Sequence, residues 1–115
     1  SPRQMTLLQD SKVCDALRKS GDVLDKEREI EHWAYFPTSV ARDEFVQEVA
    51  KLGFVLVSSD DGQDSEVEKE NRYMAKVSRS DVPNGDFTEK VTWPLTEAAA
   101  RLGGDYDGWE TYVVK

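Results

Sequence analysis

FTEKVTWPLTEAAARLGG, residues 87–104, reads two ways, and the choice between them decides the fold. Phe87, Val91, Leu95, Ala98 and Leu102 recur at helical spacing. Phe87, Val91 and Trp93 also fit the period of two that a strand needs. The Ala-rich end decides for a helix, because alanine has the highest helix propensity. Carrying that helix back to Phe87 puts Pro94 inside it, where the missing N–H removes one hydrogen bond and predicts a kink. Gly103 and Gly104 then supply the stop that a left-handed helix C-terminus favours.

With a helix there, RYMAKVSR (72–79) before it and WETYVV (109–114) after it read as strands, so residues 72–114 form a β-α-β unit. The first half repeats the order without repeating the sequence. IEHWAYF (30–36) is rich in β-branched and aromatic residues and ends at Pro37. Its alternation puts Ile30, His32, Ala34 and Phe36 on one face and Glu31, Trp33 and Tyr35 on the other. Thr38 or Ser39 caps a helix over SVARDEFVQEVAKLG, with Val40, Phe45, Val49 and Leu52 as its apolar stripe and Gly53 closing it. FVLVSS (54–59) reads as a buried strand, completing β-α-β over 30–59.

Residues 5–20 form a helix of their own, with Met5, Leu8, Val13, Ala16 and Leu17 near helical period, Arg18 and Lys19 in the last turn, and Gly21 as the stop. GDVLDKERE is a polar connector, DDGQDSEVEKE (60–70) a solvated acidic loop, and DVPNGD a turn. Residues 1–115 are thus expected to form one α+β domain. Its architecture is a ferredoxin-like split β-α-β sandwich, a four-stranded antiparallel sheet with two helices on one face, plus the N-terminal helix.

Composition narrows the function. With 23 acidic against 15 basic residues the chain carries a net charge of −8 and repels a polyanion at long range. The same charge suits a basic protein partner. No apolar run reaches the roughly 20 residues of a membrane-spanning helix, and no signal-peptide pattern opens the chain. Cys14 is the only cysteine, which excludes an internal disulfide and a cysteine-cluster metal site and fits a reducing, cytoplasmic setting.

No catalytic set emerges. His32 is the sole histidine and has no nucleophile at motif spacing. From Asp60, the acidic loop places Gly62, Asp64 and Glu66 at alternate positions, but Ser65 stands where a calcium-binding loop needs glycine and Asn71 where it needs glutamate. Asp105 and Asp107 lie beside a turn with no third group. Trp33 and Tyr35, with Trp109 or Tyr112, suggest the stacking face of an RNA-binding sheet, yet RYMAKVSR lacks the glycine that such sheets carry, and the charge balance is acidic. No cofactor, no metal and no direct nucleic-acid contact are therefore expected. The surface read for a protein partner comprises Asp60, Asp61, Asp64, Glu66 and Glu68 of the loop, the strip Asp105, Asp107, Trp109 and Glu110, and the aromatics Trp33 and Tyr35. The alternative is a small ligand-binding module or enzyme using a pocket near His32.

These same residues resemble a known family. GGDYDGWET (103–111) is similar to the closing motif of the regulator of ribonuclease E activity B family. SGDVLDKEREIEHWAYFPT (20–38) is also similar, with a helix-terminal Gly-Asp leading to a basic residue, a strand with His or an aromatic pair, and Phe-Pro. The F…LGFVL pattern (45–56) resembles the family's passage from helix to second strand. The resemblance runs from about Leu17 to Tyr112. It implies a ferredoxin-like sandwich without catalytic residues, found in bacteria. It further implies that the protein binds an endoribonuclease of the RNA degradosome and lowers its activity, which alters RNA turnover. The start of the chain, mixed in charge, departs from the acidic N-terminal helix of enterobacterial-type members.

Overall fold

The structure, a computed structural model, describes residues 2–60, 73–83 and 87–114. In chain order these form α1 (Pro2–Lys19), β1 (Arg28–Phe36), α2 (Ser39–Ala50), β2 (Val55–Asp60), β3 (Tyr73–Asp81), a π-helical turn (Thr88–Thr92), α3 (Trp93–Arg101) and β4 (Asp105–Glu110). The fold is α+β: three helices and an open four-stranded sheet in the order β2-β3-β1-β4, antiparallel throughout.

The deciding stretch is helical, and its proline stands where a π-helical turn passes into an α-helix. The π-helical turn lets the Trp93 amide reach back to the Thr88 carbonyl, five residues earlier. α3 continues from it without a break, Thr92 being in the α region, and Pro94 falls in the first turn of α3, where proline is best tolerated. The wider turn still presents Phe87, Val91, Leu95 and Ala98 to one side, and all four are buried.

β1 is the central support. Its alternation extends two residues further back than the sequence suggested, so Arg28, Ile30, His32, Ala34 and Phe36 are buried on one face. Phe45 and Val49 of α2 and Leu95, Ala98 and Ala99 of α3 join the same core, with the Phe36 and Phe45 rings 4.9 Å apart. Thr38 caps α2 by accepting from the Ala41 amide at 3.1 Å. Of the expected α2 stripe, Val40 and Leu52 are exposed.

Two strands differ from the sequence reading. Residues 55–60 are exposed along their length: β2 is an edge strand of the sheet, and Phe54, just before it, carries the burial. The last strand spans Asp105–Glu110 rather than 109–114. Gly103, at φ 77°, turns the chain out of α3. At Gly104 a Cβ would overlap the Phe36 ring and the Tyr35 carbonyl, so glycine lets β4 close directly onto the end of β1. Asp60, expected to open the acidic loop, instead ends β2; the rest of that loop and the last residues of the DVPNGD turn lie outside the described residues.

Candidate functional site

The two faces of the sheet carry polar residues in different states. On the helix-covered face they are enclosed and partnered. Asp22, just after α1, and Arg28, on β1, form an ion pair whose side chains are both fully buried. Asp22 also accepts from the amides of Leu24 (2.8 Å) and Val114 (3.0 Å). The Arg28 guanidinium holds the Asp22 carboxyl well below the usual carboxylate range, against the opposing effect of burial. Asp10 of α1 is buried too. It accepts hydroxyl hydrogen bonds from Thr88 (2.5 Å) and Thr92 (2.6 Å) and an indole N–H bond from Trp109 (2.9 Å). One carboxylate thereby ties α1 to the π-helical turn and to β4.

His32 lies in this interior at 1% exposure, against the rings of Phe54, Phe87 and Tyr106. The Tyr106 hydroxyl hydrogen-bonds Nδ1 at 2.7 Å, while Nε2 has no protein partner. Burial, helped by the charge of Arg79, lowers its pKa to about 3, so the ring is neutral at neutral pH.

The opposite face of the sheet is open. Here β1 presents Glu29, Glu31, Trp33 and Tyr35, exposed or half-buried. In the ladder Glu31 stands directly opposite Glu110 of β4, Trp33 opposite Gly108, and Tyr35 opposite Asp105. The register jumps between Trp33 and Ala34, leaving Asp107 as the extra residue of a β-bulge, a device that re-aims side chains. Gly108, at φ 139°, makes the bulge possible, and a Cβ there would meet nothing within 4 Å. On the other flank Lys76 of β3 lies 5.2 Å from the Trp33 ring centroid and 3.5 Å from a Glu31 carboxylate oxygen. Burial and then the negative charges of Asp107 and Asp60 raise the Tyr35 hydroxyl pKa. Two acids from opposite edges of the sheet therefore act on one ring.

Two hollows open beside this face. One, of about 500 Å³, runs between α1 and β4 and is bordered by Val13, Trp33, Tyr35, Asp107 and Glu110. The other, of about 450 Å³, is lined by Glu29, Glu31, Glu110, Thr111 and Tyr112. His32 borders neither of them.

The structure thus sorts the residues nominated from sequence. Trp33, Tyr35, Asp105, Asp107 and Glu110 share the open face and its β4 edge, and Asp60 ends β2 at the far edge of the same sheet. Trp109 borders the same groove but differs in burial: its indole is enclosed, packs edge-on against Phe87 at 4.8 Å and donates to Asp10. Asp61, Asp64, Glu66 and Glu68 lie outside the described residues. Asp10 and Arg28 carry no sequence-based assignment, and Asp22 enters only through the Gly-Asp of the family resemblance. Asp10 forms a helical stripe with Val13, Cys14 and Leu17, and Arg28 keeps the period of two with Ile30 and His32, so periodicity carried a signal for both.

Among the described residues no helix is long and apolar enough to cross a membrane, and no group of three or more potential ligands is placed to hold a metal ion. The family model described as regulator of ribonuclease activity B matches residues 8–111, nearly the whole chain. No curated protein matches it. The chain belongs to the regulator of ribonuclease activity B family.

Proposed function

We propose that this member of the family regulates a ribonuclease by binding it, with no chemistry of its own, through the open face of the sheet. The observation that carries the reading is the pairing of Glu31 with Glu110 across β1 and β4, next to half-buried Trp33 and Tyr35. Like charges placed directly opposite each other weaken a sheet, so their place on an open face fits a surface built for a cationic partner. Asp60, Asp105 and Asp107 extend the acidic rim. Asp61, Asp64, Glu66 and Glu68 follow Asp60 in the sequence and add to the acidic count there.

The partner is an endoribonuclease of the RNA degradosome, acting in the cytoplasm. Its basic segments, which hold RNA, dock on the acidic rim, and the protein inhibits by occupying them. The strand order and the two β-α-β units support a ferredoxin-like arrangement in which one sheet face is left for binding. The alternative, a ligand pocket at His32, draws no support from a ring packed among three aromatic side chains.

The test is inhibition of the purified ribonuclease on a defined RNA. The protein lowers the cleavage rate, and an excess of basic peptide relieves the inhibition. Cleavage unaffected at any protein concentration, with no complex on a sizing column, overturns the reading.

A further inference from the structure

We propose that the groove between α1 and β4 receives an arginine side chain of the partner protein, its guanidinium lying against Trp33 and paired with Asp107 and Glu110. The inference rests on the reading of the open face as a docking surface and adds to it the side-chain chemistry recognised.

Its starting point is the asymmetry around Trp33. In the sheet this residue has Lys76 opposite it on β3 and Gly108 opposite it on β4. On the β3 side the neighbour is a cation held between the indole ring and the Glu31 carboxylate. On the β4 side there is no side chain, and the space above Gly108 is open. The second flank thus has the form of the first with its cation removed. Asp107, displaced by the bulge, and Glu110 border the groove there and supply the carboxylates that Glu31 supplies to Lys76.

The walls select among cations. Val13 and Tyr35 add apolar and aromatic surface to the indole. A flat guanidinium stacks on such surface while its N–H fork meets carboxylates, which a compact, strongly hydrated ammonium does less well. Lys12 of α1 also borders the groove and opposes a cation there. The acids of the rim and the chain's net charge of −8 nevertheless set the overall complementarity toward a basic segment.

The experiment titrates the protein with blocked peptides of alternating arginine and glycine, of lysine and glycine, and of glutamate and glycine, by calorimetry. The arginine peptide should bind about fivefold or more tighter than the lysine peptide, and the glutamate peptide should not bind. Trp33→Leu should bring the arginine peptide down to the lysine peptide's affinity, and Asp107→Asn with Glu110→Gln should weaken arginine binding about tenfold. Lys12→Gln should tighten it. Far-ultraviolet circular dichroism and the urea midpoint confirm that each variant is folded. Equal arginine and lysine affinities in the parent protein, or arginine selectivity that survives Trp33→Leu, overturn the proposal. Ribonuclease binding that survives Trp33→Leu also overturns it and leaves the regulatory reading standing. Arginine-selective binding by a protein that ignores the ribonuclease overturns that reading and leaves this one.

Discussion

The two faces of the sheet use the same residue types to opposite ends. On the covered face, Asp10 and Asp22 are buried and each receives hydrogen bonds from several donors. On the open face, Glu31 and Glu110 are set against each other across the ladder, and Asp107 is pushed out of register. A carboxylate enclosed by donors holds the fold together, whereas one set beside another carboxylate on a surface weakens it slightly. Acidic content alone therefore says little about where such a protein binds. What separates the two classes is enclosure: Asp10 and Asp22 are buried among their donors, whereas Glu31 meets Lys76 on the open face.

The comparison is broken most severely at the Asp22–Arg28 pair. Asp22→Ala leaves the Arg28 charge buried without its counter-ion and should cost about 3–5 kcal/mol of stability. It should also release residues near Val114, whose amide loses its acceptor. Urea unfolding followed by circular dichroism gives the cost. A loss no larger than that of an exposed Asp→Ala control would place Asp22 among the surface acids.

His32 tests the covered face by pH. Its native pKa is lowered to about 3 from 6.5, so between those values the unfolded chain binds a proton that the native chain does not. The stability contribution is complete above pH 6.5 and falls as pH drops. It loses about 2 kcal/mol between pH 7 and pH 5, before most carboxylates titrate. His32→Gln should abolish that part of the slope. Asp22 adds its own loss below about pH 4, where its carboxyl binds a proton in the unfolded chain but stays ionised in the native one.

Smaller again is Thr92→Val, which removes one of three donors to Asp10 and should cost about 1–2 kcal/mol. Since that carboxylate joins α1 to the rest, faster amide exchange in α1 should accompany the loss. The smallest effect belongs to the open face. Trp33→Leu or Asp107→Asn should shift stability by no more than about 0.5 kcal/mol, because neither residue is in the core. A large loss there would erase the distinction between the faces.

The sequence carried the order of the elements and the division of β1 into two faces, because a period of two survives in one strand without help from its neighbours. It also carried the left-handed glycine after α3. It did not carry the π-helical turn, which is fastened by a contact distant in sequence. Asp10 of α1, seventy-eight and eighty-two residues away along the chain, collects the hydroxyls of Thr88 and Thr92. Nor did it separate Trp109 from Trp33. Both lie on strands among acids, and only the bulge at Asp107 decides that the Trp109 indole turns inward to Asp10 while the residue across from Trp33 is a bare glycine. The outer position of β2 was hidden for a related reason: the apolar run Phe54–Val57 reads as buried until its place in the sheet is known.

The measurement closest to the central claim is affinity for the ribonuclease as salt is raised, for the parent protein and for Asp105→Asn/Asp107→Asn/Glu110→Gln. The open face as docking surface predicts that the parent's affinity falls steadily with salt. It predicts that the triple variant, with an unchanged urea midpoint, binds weakly at every salt concentration. Binding that ignores both the salt and the three substitutions would contradict it.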